Sequence, residues 1–324
     1  MLIRFFEIIL FLSLYIGNIG CILVRGNVVS TLASPTLDLP VLYKNYCECI
    51  VKVSCVLDGK QCQTSGFFVS DTGHVLTSVV NGKDFSVQKA NGQWLSAEKI
   101  GDDLTSSICL LKVDCGKEVV QFFPLMRDYD WPAIGQSLVS LSCKLGFNVS
   151  PQLGYVTSFC DHYYGVQWPM PLVRSNLPID AGDCGGAVLD AQGNLQGMLL
   201  HALDASKETF FMPLCGLRKI FQDLLVFGRV RYCYIGLNTQ AVFDNVRRVP
   251  CLKVLEVVPL SPADKACFKE GDILVKINQT PINSVESFKN FMFLSMPNDV
   301  CELEILRKDK IMKLTLTLGE KMQI

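Results

Sequence analysis

Histidine is scarce in this sequence: 324 residues contain three, His74, His162 and His201. Any imidazole base or imidazole metal ligand must come from those positions. An excess of either charge is also missing, since 30 Lys+Arg against 31 Asp+Glu leave a net charge of -1. Nothing therefore draws the chain in bulk toward nucleic acid, which is set aside as a partner. Fifteen cysteines are present, yet none forms a Cys-x-x-Cys pair and no histidine stands at ligand spacing from them. No zinc or other metal site, and no cofactor, is expected. Internal repeats and low-complexity tracts are absent, and a composition 49% hydrophobic and 19% charged fills real cores and excludes a disordered chain.

A chain of this length has room for two compact domains after a short leader. Met1 to Val24 carries Arg4 and Glu7 and then an uncharged, mostly apolar run from Ile8 to Val24. That run suits a signal-peptide core or a short signal anchor, and so implies export and an optional membrane tether, with residues 25–40 as a linker. Export permits disulfides, but Cys109 and Cys301 sit in what read as strand interiors, where cysteine acts as a small hydrophobe, and no pairing is assigned.

From Val41 the pattern is all β. Short apolar or alternating runs at Cys49 to Val56, Gly66 to Val69, His74 to Thr77 and Ile108 to Val113 are punctuated by Asp58-Gly59, Asp71-Thr72-Gly73 and Asn91-Gly92. A second set, Ser137 to Leu141, Gly154 to Ser158, Ala187 to Leu189 and Leu195 to Leu200, makes a half of similar length and predicts two packed barrels. The first clear helix comes late, with Leu217, Ile220, Phe221, Leu224 and Leu225 at helical spacing and Gly228 to end it. Beyond it a small α+β domain is predicted. Ser261-Pro262-Ala263-Asp264 opens a short helix, Ile273, Val275 and Ile277 share one strand face, a helix covers Val285 to Phe293, and strands follow at Cys301 to Arg307 and Met312 to Leu318.

The most specific segment is Asp180-Ala181-Gly182-Asp183-Cys184-Gly185-Gly186-Ala187. A nucleophile between glycines occupies a tight turn in which backbone N–H groups, here of Gly182 and Cys184, converge on an oxyanion. Together with Thr64-Ser65-Gly66-Phe67-Phe68-Val69-Ser70-Asp71-Thr72-Gly73-His74-Val75-Leu76-Thr77, it resembles the HtrA/Deg family of trypsin-fold serine peptidases. Phe211-Met212-Pro213, Tyr234-Ile235-Gly236-Leu237, Val258-Pro259-Leu260-Ser261-Pro262-Ala263 and Phe268-Lys269-Glu270-Gly271-Asp272-Ile273-Leu274 extend the likeness through that family's PDZ domain. The resemblance covers about Val41 to Glu320. It implies a trypsin-like double β-barrel over residues 41–228 followed by one PDZ domain over residues 229–320.

Carried over residue by residue, the resemblance implies a degenerate triad. The family's histidine position is Val80, its aspartate position is Ser107, with Asp102 and Asp103 a few residues earlier, and its serine position is Cys184. A cysteine can retain chemistry because its thiolate is a strong nucleophile, but it needs a base, and none of the three histidines stands where the family places one. His74 falls in a strand, His162 in a loop, and His201 on the strand after the nucleophile turn. That last arrangement also resembles picornavirus-type cysteine peptidases, in which this histidine lines the specificity pocket and is not the base.

In the PDZ domain, Tyr234, Ile235, Gly236 and Leu237 match the loop that holds a peptide carboxylate while the peptide adds to a strand edge. The chain is thus expected to be an exported pseudopeptidase that binds unfolded proteins or protein C-termini. The resemblance further implies a homo-oligomer, a trimer, in the periplasm or cell envelope, with the secretory pathway or the mitochondrial intermembrane space as other destinations. Two alternatives stand. One is an active endopeptidase using Cys184, with His74, His201 or a neighbouring subunit supplying the base. The other is a structural envelope protein whose domains serve only assembly. Asn148 and Asn278 begin glycosylation sequons, relevant only in a eukaryotic secretory route.

Overall fold

The computed structural model describes residues 37–321, apart from positions 80, 117, 127–130, 164–165, 204–207, 245–248 and 309. The leader and most of the linker expected at the N-terminus lie outside the described residues. Among the described residues no helix is long and apolar enough to cross a membrane.

The chain enters through α1, Leu39–Tyr46, a helix that hydrophobic spacing had not suggested. Local chemistry accounts for it: the Asp38 carboxylate accepts from the N–H of Val41 at 3.1 Å, and a proline falls in the first turn, where its missing N–H is harmless. Six strands follow: β1 Ile50–Leu57, β2 Lys60–Phe68, β3 His74–Thr77, β4 Lys83–Gln88, β5 Trp94–Asp103 and β6 Ile108–Val113. They close into a barrel in the order β1-β2-β3-β6-β5-β4. The next six are β7 Ser137–Ser142, β8 Ser150–Tyr163, β9 Val166–Ser175, β10 Ala187–Asp190, β11 Leu195–Leu203 and β12 Glu208–Pro213. They close in the order β10-β11-β12-β9-β8-β7, the same circuit as the first barrel when the strands are renumbered.

Several strands read as continuous apolar runs because both of their faces are covered. In β6, Ile108 and Leu110 join a large core shared by the two barrels, while Cys109, Leu111 and Val113 join a separate cluster with Val51, Val53 and Phe68. β10 behaves likewise, with Ala187 and Leu189 in the shared core and Val188 in a second-barrel cluster with Leu138 and Phe211.

Helix α2, Leu214–Phe227, lays Leu217, Ile220 and Leu224 into the shared core and ends at Gly228, whose φ of 68° gives the left-handed cap. After it come β13 Cys233–Tyr234, β14 Leu237–Asp244, β15 Val249–Val257, α3 Pro262–Lys265, β16 Ile273–Ile277, β17 Thr280–Pro281, α4 Val285–Leu294, β18 Val300–Arg307, β19 Lys310–Thr317 and β20 Gly319–Glu320. The main sheet runs β14-β15-β16-β18-β19, which leaves β14 with an open edge. One strand reading needs correction. Ile273, Val275 and Ile277 do not line a single face, because the pairing of β16 with β18 shifts between Leu274 and Lys276, and the bulge buries Leu274 and Ile277 together.

The C-terminal module is fastened to α2 by buried polar groups. Lys219 and Asp223 form an ion pair at 2.6 Å with side chains 4% and 0% exposed. Lys219 also donates to the carbonyl of Arg231, and the Arg231 N–H donates to Asp223. Phe293 of α4 is buried in the shared core with the Lys219 ammonium 5.7 Å from its ring centre.

Candidate functional site

The turn that carries Cys184 joins β9 to β10 and is shaped by two glycines in the left-handed region, Gly182 at φ 92° and Gly185 at φ 86°. A Cβ on Gly185 would lie 2.1 Å from the carbonyl oxygen of Ser65, so only glycine fits. Tight backbone bonds, from Asp183 N to Asp180 O and from Gly186 N to Asp183 O, coil the segment. Among the described residues neither Gly182 N–H nor Cys184 N–H is spent on a backbone or side-chain acceptor elsewhere. The first barrel clamps the turn from the other side. The Cys184 carbonyl accepts from Ser65 N at 3.0 Å and from the Thr64 hydroxyl at 2.5 Å. The Ser65 hydroxyl donates to Gly182 O at 2.7 Å and accepts from Cys143 N at 2.7 Å.

Asp183 anchors the turn from beneath. It is completely buried, and its carboxylate accepts from the Ser142 hydroxyl and from Asp180 N, both at 2.7 Å. Burial outweighs these bonds and raises its pKa above the ordinary carboxylate value. The same environment acts on the thiol: burial first, then the Asp183 carboxylate, pushes Cys184 up to about 11, against a slight lowering by its own backbone N–H. A thiol raised in this way is opposite in kind to a thiolate held by an imidazolium.

Val80, read as the histidine position, lies outside the described residues. Its neighbour Val79 is buried in the first-barrel core. Ser107 is half-buried on the β5–β6 turn at φ 58°. The nearby acids are engaged elsewhere. Asp103 accepts from Ser106 N at 2.7 Å and from the Tyr232 hydroxyl at 2.6 Å. Asp102 accepts from Asn81 N at 2.8 Å and from the Lys99 ammonium at 3.1 Å.

The histidines are dispersed. His74 bonds through Nδ1 to the hydroxyls of Ser70 at 2.8 Å and Thr72 at 3.1 Å and meets Phe221 edge-on. Burial, with the charge of Lys112 second, lowers its pKa. His162 lies in strand β8 rather than in a loop, because β8 and β9 form a hairpin that pairs His162 with Gln167. His201 is exposed on β11, just past the register shift after Leu199.

The second candidate site lies where β13 leads into β14. Gly236, at φ 83°, allows the backbone to pass Ser261, whose Cβ would be 2.1 Å from any Cβ placed there. The carbonyls of Ile235 and Gly236 are turned inward, accepting from Ala263 N and Val258 N at 2.9 Å each. Among the described residues the N–H groups of Ile235 and Gly236 have no acceptor. They stand at the end of the open β14 edge, with Ile235, Leu252 and Val254 buried behind and Leu237, Phe288 and Met292 packed against them. Such an arrangement suits an added strand whose terminal carboxylate meets the loop. Asn278 is occupied structurally, its side-chain oxygen accepting from Glu302 N.

Sequence reasoning had not singled out Thr64 and Ser65 as the clamp, Asp183 as the anchor or Tyr232 as the partner of Asp103. Only the buried acid inside Gly-Asp-Cys-Gly-Gly carried a local signal.

Comparison with known proteins adds independent findings. The family model for a trypsin-like peptidase domain matches residues 64–198, and that for a PDZ domain matches residues 234–318. The chain is 26% identical over 259 residues to the periplasmic pH-dependent serine endoprotease DegQ of Escherichia coli (strain K12), covering 76% of this chain and 56% of that protein. To a probable periplasmic serine endoprotease DegP-like of Chlamydia trachomatis it is 22% identical over 271 residues, covering 79% of this chain and 54% of the other. The chain thus spans about half the length of these curated relatives. In fold it is similar to the HtrA-type protease AlgW with tripeptide, with a TM-score of 0.74 at 17% identity over 87% of this chain and 97% of that one. The serine endoprotease from Yersinia pestis follows, with a TM-score of 0.65 at 22% identity over 89% and 100%.

Proposed function

Because the chain belongs to the HtrA/Deg family and joins a trypsin-like peptidase domain to a PDZ domain, we propose that it is an exported member that binds polypeptide segments without cutting them. The observation that carries this reading is the state of Cys184. Burial first, and then the charge of Asp183, raise its thiol to about 11, away from the thiolate a nucleophile needs. A nucleophile at that position needs a base to take its proton and a group to orient the base. The resemblance puts Val80 and Ser107 in those roles, and neither side chain supplies a base or an orienting carboxylate.

Binding falls to the PDZ domain. The loop from Tyr234 to Leu237 offers backbone N–H groups to a carboxylate, and the open edge of β14 offers a ladder to an extended segment, so the clients are unfolded chains and free C-termini. The names of the relatives suggest the periplasm as the compartment. Assembly as a homo-oligomer, and a membrane tether through the N-terminal segment, belong to the same reading.

Two measurements test it. The full chain incubated with an unfolded protein substrate should produce no new N-termini, in the wild type and in Cys184→Ala alike. Cleavage that vanishes in Cys184→Ala would establish the active endopeptidase instead. Peptides with a free C-terminal carboxylate should bind the full chain, and their amidated forms should bind about tenfold more weakly, the scale of one lost charge-assisted hydrogen bond. A flat response across a library of C-termini would favour a purely structural protein.

A further inference from the structure

The hairpin β1–β2 turns at Asp58-Gly59, where both residues have positive φ, 49° and 75°. This is the geometry of a two-residue turn whose twist matches the strands. It fixes the register outward, Leu57 against Lys60, Val56 against Gln61 and Cys55 against Cys62. Directly opposed residues of an antiparallel pair point to the same face with Cα atoms about 4.5–5.5 Å apart, and a disulfide accepts Cα separations of about 4.4–6.8 Å. Both cysteines are free thiols in this structure, one buried and the other half-buried. From this juxtaposition we propose that Cys55 and Cys62 form a redox pair which closes to a cross-strand disulfide when the protein meets a disulfide oxidant.

The surroundings assign the two sulfurs different parts. Cys55 is 1% exposed within the first-barrel core, where burial first and then the neighbouring Cys62 raise its thiol to about 11. Cys62 lies between the exposed Gln61 and Gln63 and is the sulfur an oxidant reaches. Its thiolate attacks one sulfur of the oxidant's disulfide, forming a mixed disulfide and releasing the oxidant's first thiolate. The Cys55 thiolate then attacks the Cys62 sulfur and expels the second. Two protein thiols are oxidised, one external disulfide is reduced to two thiols, and two protons balance the exchange. Each step needs a thiolate, and burial raises Cys55, so closure speeds up as pH rises. Cys109 on β6 also lies near enough to Cys55 for their charges to interact, which makes it the competing partner.

The oxidant is encountered in the cell only if the export proposed above holds, but the pairing itself is tested in solution. The full chain, reduced and then exposed to oxidised glutathione, is alkylated, digested with trypsin and mapped by mass spectrometry without reduction. Cleavage after Lys60 separates Cys55 from Cys62, so their peptides stay together only through a disulfide. The expected product is the 53–60 peptide joined to the peptide beginning at Gln61, formed faster at pH 9 than at pH 7, lost in Cys62→Ser and retained in Cys109→Ser. Recovery of Cys55 alkylated, of Cys55 joined to Cys109, or of Cys62 carrying only glutathione overturns the proposal. Failure of export would be read separately, from the location of the protein in cells, and would leave this chemistry intact.

Discussion

The pH profile of Cys184 alkylation puts the central reasoning at risk. The perturbation is iodoacetamide applied to the folded full chain between pH 7 and 11, with the Cys184 peptide quantified by mass spectrometry. A thiol moved from 9.0 to about 11 has about a hundredfold less thiolate at pH 7, because each unit of pKa is a factor of ten in the equilibrium. The more basic thiolate is also the better nucleophile, by about six- to tenfold over two units for a Brønsted slope of about 0.4–0.5. The net expectation is alkylation at pH 7 about tenfold slower than that of a small unperturbed thiol, before any steric shielding, with the rate still climbing tenfold per unit above pH 9. A profile that levels off at or below pH 7, with Cys184 reacting faster than the small thiol, would mean a thiolate stabilised by a cation. That result would refute the account of the site and revive a cysteine peptidase.

Asp183 titrates above its ordinary value because of burial, so the folded state binds its proton more tightly than the unfolded chain does. That contribution to stability is complete below about 3.9, the unfolded value, and is lost as pH rises through the higher folded value. Denaturant melts of Asp183→Asn should therefore show a smaller decline with rising pH across that interval than the wild type. Asp223→Ala strands the buried Lys219 ammonium and removes the acceptor of Arg231 N; calorimetry should register a loss of about 3–5 kcal/mol, whereas Leu225→Ala on the exposed face of α2 should cost far less. Gly236→Ala places a Cβ 2.1 Å from that of Ser261; isothermal titration should show peptide binding lost while the peptidase-domain fold, followed by far-UV dichroism, persists.

Much of this architecture is legible in the sequence because its signals are local. Strand β3 is bounded at His74 and Thr77 by its own turn residues, β6 by its apolar run, and α2 by its period and Gly228. The Gly-Asp-Cys-Gly-Gly turn is local too, since φ near 90° at Gly182 and Gly185 admits little else. Where a non-local partner decides, the signal is lost. The bulge that buries Leu274 beside Ile277 is imposed by the pairing of β16 with β18, and His162 is drawn into a strand by its hairpin partner Gln167.

The sequence by itself determined that this chain folds as two β-rich halves and a small mixed domain, that it carries a cysteine in a glycine-bounded turn, and that imidazoles are too few to surround it. Those facts rest on composition, period and turn chemistry, which need no partner in space. Only the tertiary structure decided what that cysteine is. Partial burial beside Asp183 raises its pKa, and the turn itself is held by Thr64 and Ser65, more than a hundred residues away in the chain. The dielectric around a thiol and the charge facing it are properties of packed neighbours, and neighbours distant in sequence are assigned only when the barrels close.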